Sequence, residues 1–481
     1  MGIANFKHWQ GRLATLVFAT LLGIYAIPAA AQVLYTTIVG TVEDATGAVV
    51  PNVKITIENK ATGVNREATT DANGSYTMPS LPIGTYVVKF TANGFKTLTR
   101  DGVVLTVNTT ARVNGKLEVG AVSEQVTVEA SAVQLQTDRS DTKTEISAKI
   151  VTELPLNQYR NYQSLINLVP GATPSTTQNS VIDTPGRALR TFVNGTSTNN
   201  NVTRLDGAVN INIWLPHHVA YVAPAETVEN VNITTSSLDA EQGMAGGAAM
   251  TVASASGTNT LHGAAWEYHE NQDLKSRSYF QPSATPNALY KLNIFGGKLS
   301  GAIIKNKLFW FAHTEAAKQL SGGQGFFTVP NAAMRAGDFS SRIGTNGQGA
   351  IFDPATGLAD GSGRQPFAGN RVPTARFSPQ GLKMLALVPT PNNEGGQTVN
   401  AANGVIANNH FVSATGVLNR YNYDGKLNWN RNDKHTMFGK YSTLRATAGG
   451  VFGLGAAGGG GIGGDPGTGD TKQHLVTIGT N

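Results

Sequence analysis

The sequence predicts a mostly β protein: a small N-terminal β-sandwich, a mixed α+β middle, and antiparallel strands of a transmembrane β-barrel toward the C-terminal end. Three observations predict it. Short apolar runs recur between Asn-Gly and Asp-rich turns from residue 36 to residue 118. Long segments that alternate aromatic and polar residues fill the second half. Between them lies ETVENVNITTSSLDAEQGMAGGAAMTVASASGTNTLHG (Glu226 to Gly263), in which small residues let one backbone lie close against another.

Composition narrows the classes. Of 481 residues only 14% are charged, and 55 are Gly, a balance that suits β-rich and barrel proteins. The net charge of +6 is spread along the chain with no basic stripe, so nucleic acid is not an expected partner. Cysteine is absent, which excludes disulfides, thiol catalysis and thiolate metal sites. At the N-terminus, Lys7 and Arg12 precede an apolar run from Leu13 to Ile27, and Ala29-Ala30-Ala31 follows. This is the pattern of a cleaved signal peptide over residues 1–31, with Gln32 first in the mature chain.

Within residues 36–118 the strand-like runs are Ile38 to Val42, Val53 to Ile57, Ser75 to Met78, Tyr86 to Thr91, Val103 to Val107 and Ala111 to Leu117. Asp44-Ala45-Thr46-Gly47, Asp71-Ala72-Asn73-Gly74 and Asn93-Gly94 supply the turns. Several short strands at this spacing indicate an all-β sandwich. Residues 119–149 then form a linker. Inside it, Glu124, Gln125, Val126, Thr127, Val128 and Glu129 alternate apolar and polar, a pattern that fits either a last sandwich strand or a separate extended segment.

Tyr162, Leu165, Ile166 and Leu168 recur at near-helical spacing before Pro170-Gly171, which predicts one short amphipathic helix from Tyr159. Thr191 to Gly195 and Val202 to Gly207 predict two strands joined by an Asn-rich turn. His217 and His218 are the only His pair. Adjacent side chains diverge and no carboxylate set stands near, so no metal is expected there.

Further on, Tyr421, Tyr423, Gly425, Leu427 and Trp429 alternate with Asn422, Asp424, Lys426, Asn428 and Asn430, the two-sided pattern of a membrane β-strand. Leu261 to His269, Tyr290 to Leu299, Lys307 to Glu315, His435 to Leu444 and His474 to Thr480 give five more strands. Phe309, Trp310 and Phe311 add aromatic weight to the membrane reading. A long Gly/Asn/Pro-rich connection, Ala316 to Leu418, suits an outer loop of a barrel, with a short helix over Ser378 to Leu387. Gly449 to Gly469 predicts a flexible outer loop.

The stretch from Glu226 to Gly263, with "SSLDAEQG" and "SGTN", resembles the junction of plug and barrel in TonB-dependent outer-membrane transporters, specifically the Oar-like branch. GDFSSRIG (337 to 344), IFDPATG (351 to 357), RVPTARFSPQGLKMLALVPTPN (371 to 392) and NRYNYDGKLNWNRNDKHTMFGKYS (419 to 442) resemble that branch too. DANGSYTMPSLPIGTYVVKFTANGFK (71 to 96) resembles the carboxypeptidase regulatory-like domain, a prealbumin-type, carbohydrate-binding-like fold. No His has Glu three residues later, so this domain is expected to be non-catalytic.

The resemblance implies a plug domain over 150–257, with Leu205, Asp206, Gly207, Gly243, Gly246 and Gly247 as its signature. It implies a partial barrel over 258–481 and a TonB box at Glu124 to Glu129. That box would add as a strand to a TonB-type energy-transducing protein of the inner membrane. Gln242, Met244 and Ala255 depart from the family pattern, which predicts that a charged plug–barrel contact is missing. Six strands are too few to enclose a plug, for which about 22 are used, so the chain is expected to be the N-terminal part of a longer barrel.

The function expected is import of an external ligand across the outer membrane, with outer-membrane lipid around the strands and no catalytic residue, cofactor or metal. A surface adhesion or carbohydrate-binding protein without energised transport is the alternative.

Overall fold

The computed structural model describes residues 36–129, 138, 140–177, 181, 184–215, 218–238, 240–243, 245–276, 288–342, 349–400, 405–432 and 435–480. The signal-peptide expectation for residues 1–31, and His217 and Met244, lie outside the described residues.

The first unit is built from β1 (Thr36–Asp44), β2 (Lys54–Asn59), β3 (Asn65–Thr69), β4 (Ser75–Leu81), β5 (Gly84–Thr91), β6 (Thr97–Leu105), β7 (Thr110–Arg112), β8 (Gly115–Leu117) and β9 (Gln125–Glu129). One sheet runs β4-β1-β7, with β8 also on β1, and the other runs β3-β2-β5-β6-β9. Alternate residues point inward. Ile38, Ile55, Ile57, Val88 and Phe90 are fully buried between the sheets. Phe90 meets Tyr76 edge-on at 5.9 Å, and the Tyr76 hydroxyl donates to Val113 O at 2.7 Å. Each such side chain contributes about 1.5–3 kcal/mol through burial. The turns form as their residues dictate. Asp44 Oδ1 accepts from the N–H groups of Thr46 (2.8 Å) and Ala48 (3.0 Å), and Asp71 Oδ1 from those of Asn73 (2.8 Å) and Ser75 (2.9 Å).

The middle unit contains β10 (Thr142–Ser147), β11 (Thr176–Thr177), β12 (Leu189–Arg190), β13 (Val202–Leu205), β14 (Ala208–Val209), β15 (Val228–Ser236) and β16 (Ala249–Ser254). Its main sheet has the order β10-β15-β16-β13-β14, with β13 and β16 parallel. The single helix expected from Tyr159 to Leu168 is instead two pieces. Tyr159 and Arg160 take φ of 64° and 54°, which no α-helix accepts, so the helical turn ends there. Asn161 then caps a 3-10 helix over Tyr162–Leu168, its side chain accepting from Gln163 N at 2.9 Å. The strand expected at Thr191 to Gly195 is also absent. Residues 192–195 turn back after β12, and β13 pairs with β14 and β16.

The third unit is one antiparallel sheet in chain order: β17 (His262–Asn271), β18 (Tyr290–Ile304), β19 (Leu308–Phe327), β22 (His410–Asn432), β23 (His435–Phe452) and β24 (Gly461–Thr480). A hairpin of β20 (Thr398–Asn400) and β21 (Val405–Ala407) lies in the connection between β19 and β22. The six expected strands are present and longer than expected. The long connection shrinks to residues 328–409, and the helix within it spans Pro379–Leu387. Among the described residues no strand pairs β17 to β24, so the sheet is an open arc.

Gly449 to Gly469 is not a loop. Most of it belongs to β23 and β24, which pair from Phe452↔Gly461 onward. Between Ile462 and Pro466 the ladder bulges, and Gly463, at φ 77°, lies on the backbone of Gly416 and Gly323. Any Cβ there would collide with backbone, so the glycines serve a close strand contact rather than flexibility.

The alternation in β22 holds. Tyr423, Leu427 and Trp429 are exposed on the outer face, while Asn422, Asp424 and Lys426 are buried on the inner face. Phe309 and Phe311 also face inward and are buried, so of the three neighbouring aromatics only Trp310 lies on the outer side.

Candidate functional site

The middle unit packs against the inner face of the sheet. Its core is continuous there with Leu418, Leu444, Ala446 and Ala448. Toward the end with the short strand connections, the contact becomes ionic. Asp206 is held at φ 50° in the tight turn between β13 and β14, with Gly207 following at φ 81°. This turn aims the carboxylate out of the middle unit. Oδ1 accepts from Lys426 Nζ at 3.1 Å and from Ser254 N at 3.0 Å. Oδ2 accepts from Lys440 Nζ at 3.0 Å and from Ser254 Oγ at 2.5 Å. All three charged side chains are nearly inaccessible to solvent. Burial pushes the Asp206 carboxyl up, but the ammoniums of Lys426 and Lys440 and the Ser254 hydrogen bonds outweigh it and hold it below the ordinary carboxylate range. One carboxylate facing two ammoniums fixes position and register. It adds little net stability, because three charges have left water.

Two further contacts repeat the theme. Glu226 lies 3.4 Å from Arg160 and 3.6 Å from Lys298 of β18, and accepts from the Tyr268 hydroxyl of β17 at 2.8 Å. Arg160 also stacks over the Tyr268 ring at 4.0 Å, so the left-handed turn at Tyr159 and Arg160 is anchored to the sheet. Tyr221, fixed through its backbone by Asn210, donates to Asp424 Oδ1 at 2.9 Å, and His313 Nδ1 meets Asp424 Oδ2 at 3.0 Å.

The charged contact expected to be missing is therefore present, from different residues. Gln242 is buried and donates to Thr234 Oγ1 at 3.2 Å, within the middle unit. Ala255 N donates to Thr227 O at 2.8 Å. Leu205 is fully buried in the core of the middle unit. Gly246 and Gly247 donate to Asn200 O at 2.9 and 3.0 Å, and a Cβ on Gly247 would meet Thr196 and Asn201. Gly243, at φ 66°, leaves room for Arg204. These three glycines thus pack inside the middle unit. The close approach to the sheet is made by Gly257, where a Cβ would lie 2.5 Å from the carbonyl oxygens of Gly301 and Trp310.

The sandwich docks at the end where β18 meets β19. Asn259 N donates to Ala61 O at 3.0 Å, and Asn259 Nδ2 to Asn306 Oδ1 at 2.6 Å. Thr106 Oγ1 donates to Glu145 at 2.7 Å, and Asn232 Nδ2 to Val107 O at 2.9 Å. A cavity of about 420 Å³ remains between the three units, bounded by Tyr86, Val104, Asp206, Glu229, Phe309 and Phe438. Residues 124–129 lie on the sandwich. β9 pairs in parallel with β6 from Thr97↔Gln125 to Asp101↔Glu129, and Val126 and Val128 pack on the sandwich core.

The chain is thus mostly β, with a meander of long strands that carries an exposed apolar face and a polar, domain-filled inner face. Residues 253–481 match the family model described as outer membrane beta barrel domain, and residues 37–118 that described as carboxypeptidase regulatory-like domain. The chain is a homologue of the TonB-dependent transporter Oar of Myxococcus xanthus. The two are 28% identical over 290 residues, covering 57% of this chain and 26% of Oar. The chain thus spans about a quarter of the length of the curated relative it matches.

Among solved structures it is similar to the siderophore receptor PirA of Acinetobacter baumannii (14% identity, 70% of this chain, 37% of that one, TM-score 0.36). It is also similar to the ferric enterobactin receptor PfeA of Pseudomonas aeruginosa (12% identity, 71% and 39%, TM-score 0.37).

Proposed function

We propose that this chain belongs to a TonB-coupled importer of the outer membrane. In this reading residues 1–31 are a cleaved signal, 36–118 a periplasmic sandwich of prealbumin type, 119–149 a connecting segment whose TonB box at 124–129 lies on the sandwich as its last strand, 150–257 an α+β plug, and 258–481 barrel strands facing lipid. The observation that carries it is the ionic seat of Asp206 between Lys426 and Lys440, which positions a folded domain inside the sheet through contacts that can be released. The name of Oar supports a TonB-type partner. The open edges of β17 and β24 support a larger barrel than these six strands form. The external ligand would meet the outer loops and the plug, and its class is left open. The comparisons do not favour the adhesion alternative.

The test is deletion of residues 123–129 in the full chain. Co-purification with the periplasmic domain of the host's TonB-type protein should be lost, and energy-dependent uptake with it. Undiminished TonB binding after the deletion would sink the reading.

A further inference from the structure

We propose that the sandwich presents residues 125–129 as a preformed edge strand, so that the energy-transducing partner adds its strand to β9 while β9 stays paired with β6. This inference rests on the TonB coupling proposed above, and specifies how that site is displayed.

Three observations lead here. First, β9 is already folded into a sheet. Thr97 N donates to Glu124 O at 2.9 Å, five residue pairs follow in register, and Gln125 Nε2 donates to Thr99 Oγ1 at 3.0 Å. Lys96 lies 3.2 Å from Glu124 and 3.6 Å from Glu118, which clamps the entry to the strand. Second, β9 is the last strand of its sheet, and among the described residues none pairs with its other side. In a parallel ladder successive residues turn their N–H and C=O groups to opposite sides. The bond to Glu124 O sets the phase. Val126 and Val128 bond toward β6, while the backbone groups of Gln125, Thr127 and Glu129 point to the open edge. Third, the sandwich is itself tied to Asn259, through Ala61 O, and to Asn232 of β15, through Val107 O. The strand is therefore held at a fixed place beneath the sheet.

An open strand edge is a template for another strand. The partner that fits is a periplasmic protein with an unpaired strand edge of its own. Because β9 is ordered before the encounter, binding does not bear the entropy of ordering a free peptide. Force applied to β9 then reaches the sandwich and the linker together. The first middle-unit element it meets is β10, itself an edge strand with only Ile146 buried.

The chain has no cysteine, so one engineered pair can lock β9 to β6. Thr99 and Thr127 are register partners, and adjacent strands lie about 4.8 Å apart, within disulfide reach. The experiment compares the full-length Thr99→Cys/Thr127→Cys variant, oxidised and reduced, with the wild type for binding of the TonB periplasmic domain. The expected result is an oxidised variant within about threefold of the wild-type Kd. A loss of about tenfold or more on oxidation, reversed by reduction, would overturn the inference and show that the partner must strip β9 away. Thr127→Pro, which removes an open-edge N–H, should weaken binding roughly tenfold even with β9 in place. Wild-type binding at the level of Thr127→Pro would contradict use of the open edge. Absence of binding by the wild type would instead overturn the TonB coupling itself.

Discussion

The sandwich interior and the seat of the middle unit are both buried, yet they are built from opposite materials. Between the sandwich sheets lie Ile38, Ile55, Ile57, Val88 and Phe90, with no charged side chain in the cluster. Between the middle unit and the sheet lie an apolar strip at one end and, toward the other, Asp206, Lys426, Lys440, Glu226, Asp424 and His313. An apolar interior gains by staying closed, since opening it returns apolar surface to water. A row of buried ions tolerates one register only, and returns its charges to water when opened. The first suits a rigid body, and the second a domain that must be placed accurately.

The largest expected effect breaks the ionic side. Asp206→Ala leaves two ammoniums buried without their partner and should destabilise the seat by about 3–5 kcal/mol, read as the urea midpoint for loss of protease resistance in the middle unit. Replacing all three charges together (Asp206→Leu, Lys426→Met, Lys440→Met) sharpens the contrast. The seat should then be as stable as the wild type or more so, by about 1–4 kcal/mol, because no charge is left to desolvate.

Acid provides a milder break. The Asp206 carboxyl is held below its ordinary value of 3.8. Its contribution is therefore complete above that pH and is lost as pH falls through the lower folded value. The hydrogen-exchange protection factors of β13 and β16 should be flat from neutral pH down to about 4 and fall below it, and Asp206→Asn should abolish that fall.

On the apolar side, Ile57→Val should cost about 1 kcal/mol in the sandwich alone, measured by its urea midpoint. The smallest effect is expected from Glu67→Gln. It removes the exposed pair with Lys54 and should change stability by no more than about 0.5 kcal/mol.

What the sequence made legible follows from how local each signal is. The alternation from Tyr421 to Asn430 was readable because a strand with two different faces repeats every two residues. The turns at Asp44 and Asp71 were readable because their side chains bond to backbone two and four residues on. The role of Asp206 was not, since its partners are 220 and 234 residues away and an Asp-Gly pair looks the same in any turn. Departures at Gln242 and Ala255 misled for the same reason, because the contact had moved to other residues. Gly449 to Gly469 has loop composition, but its glycines answer a backbone contact with β19 and β22 that only the folded sheet creates. The placing of Gln125 to Glu129 was open because a V-x-V run suits a docked edge strand and a free segment equally.

The central claim is that the middle unit is held by an ionic seat while the sandwich is held by an apolar core of its own. Hydrogen exchange measured strand by strand in the full chain, wild type against Asp206→Ala, tests it most directly. The account predicts faster exchange in β13 (Val202–Leu205) and β16 (Ala249–Ser254), with β2 (Lys54–Asn59) and β5 (Gly84–Thr91) unchanged. Equal acceleration in both units, or none in β13 and β16, would contradict it.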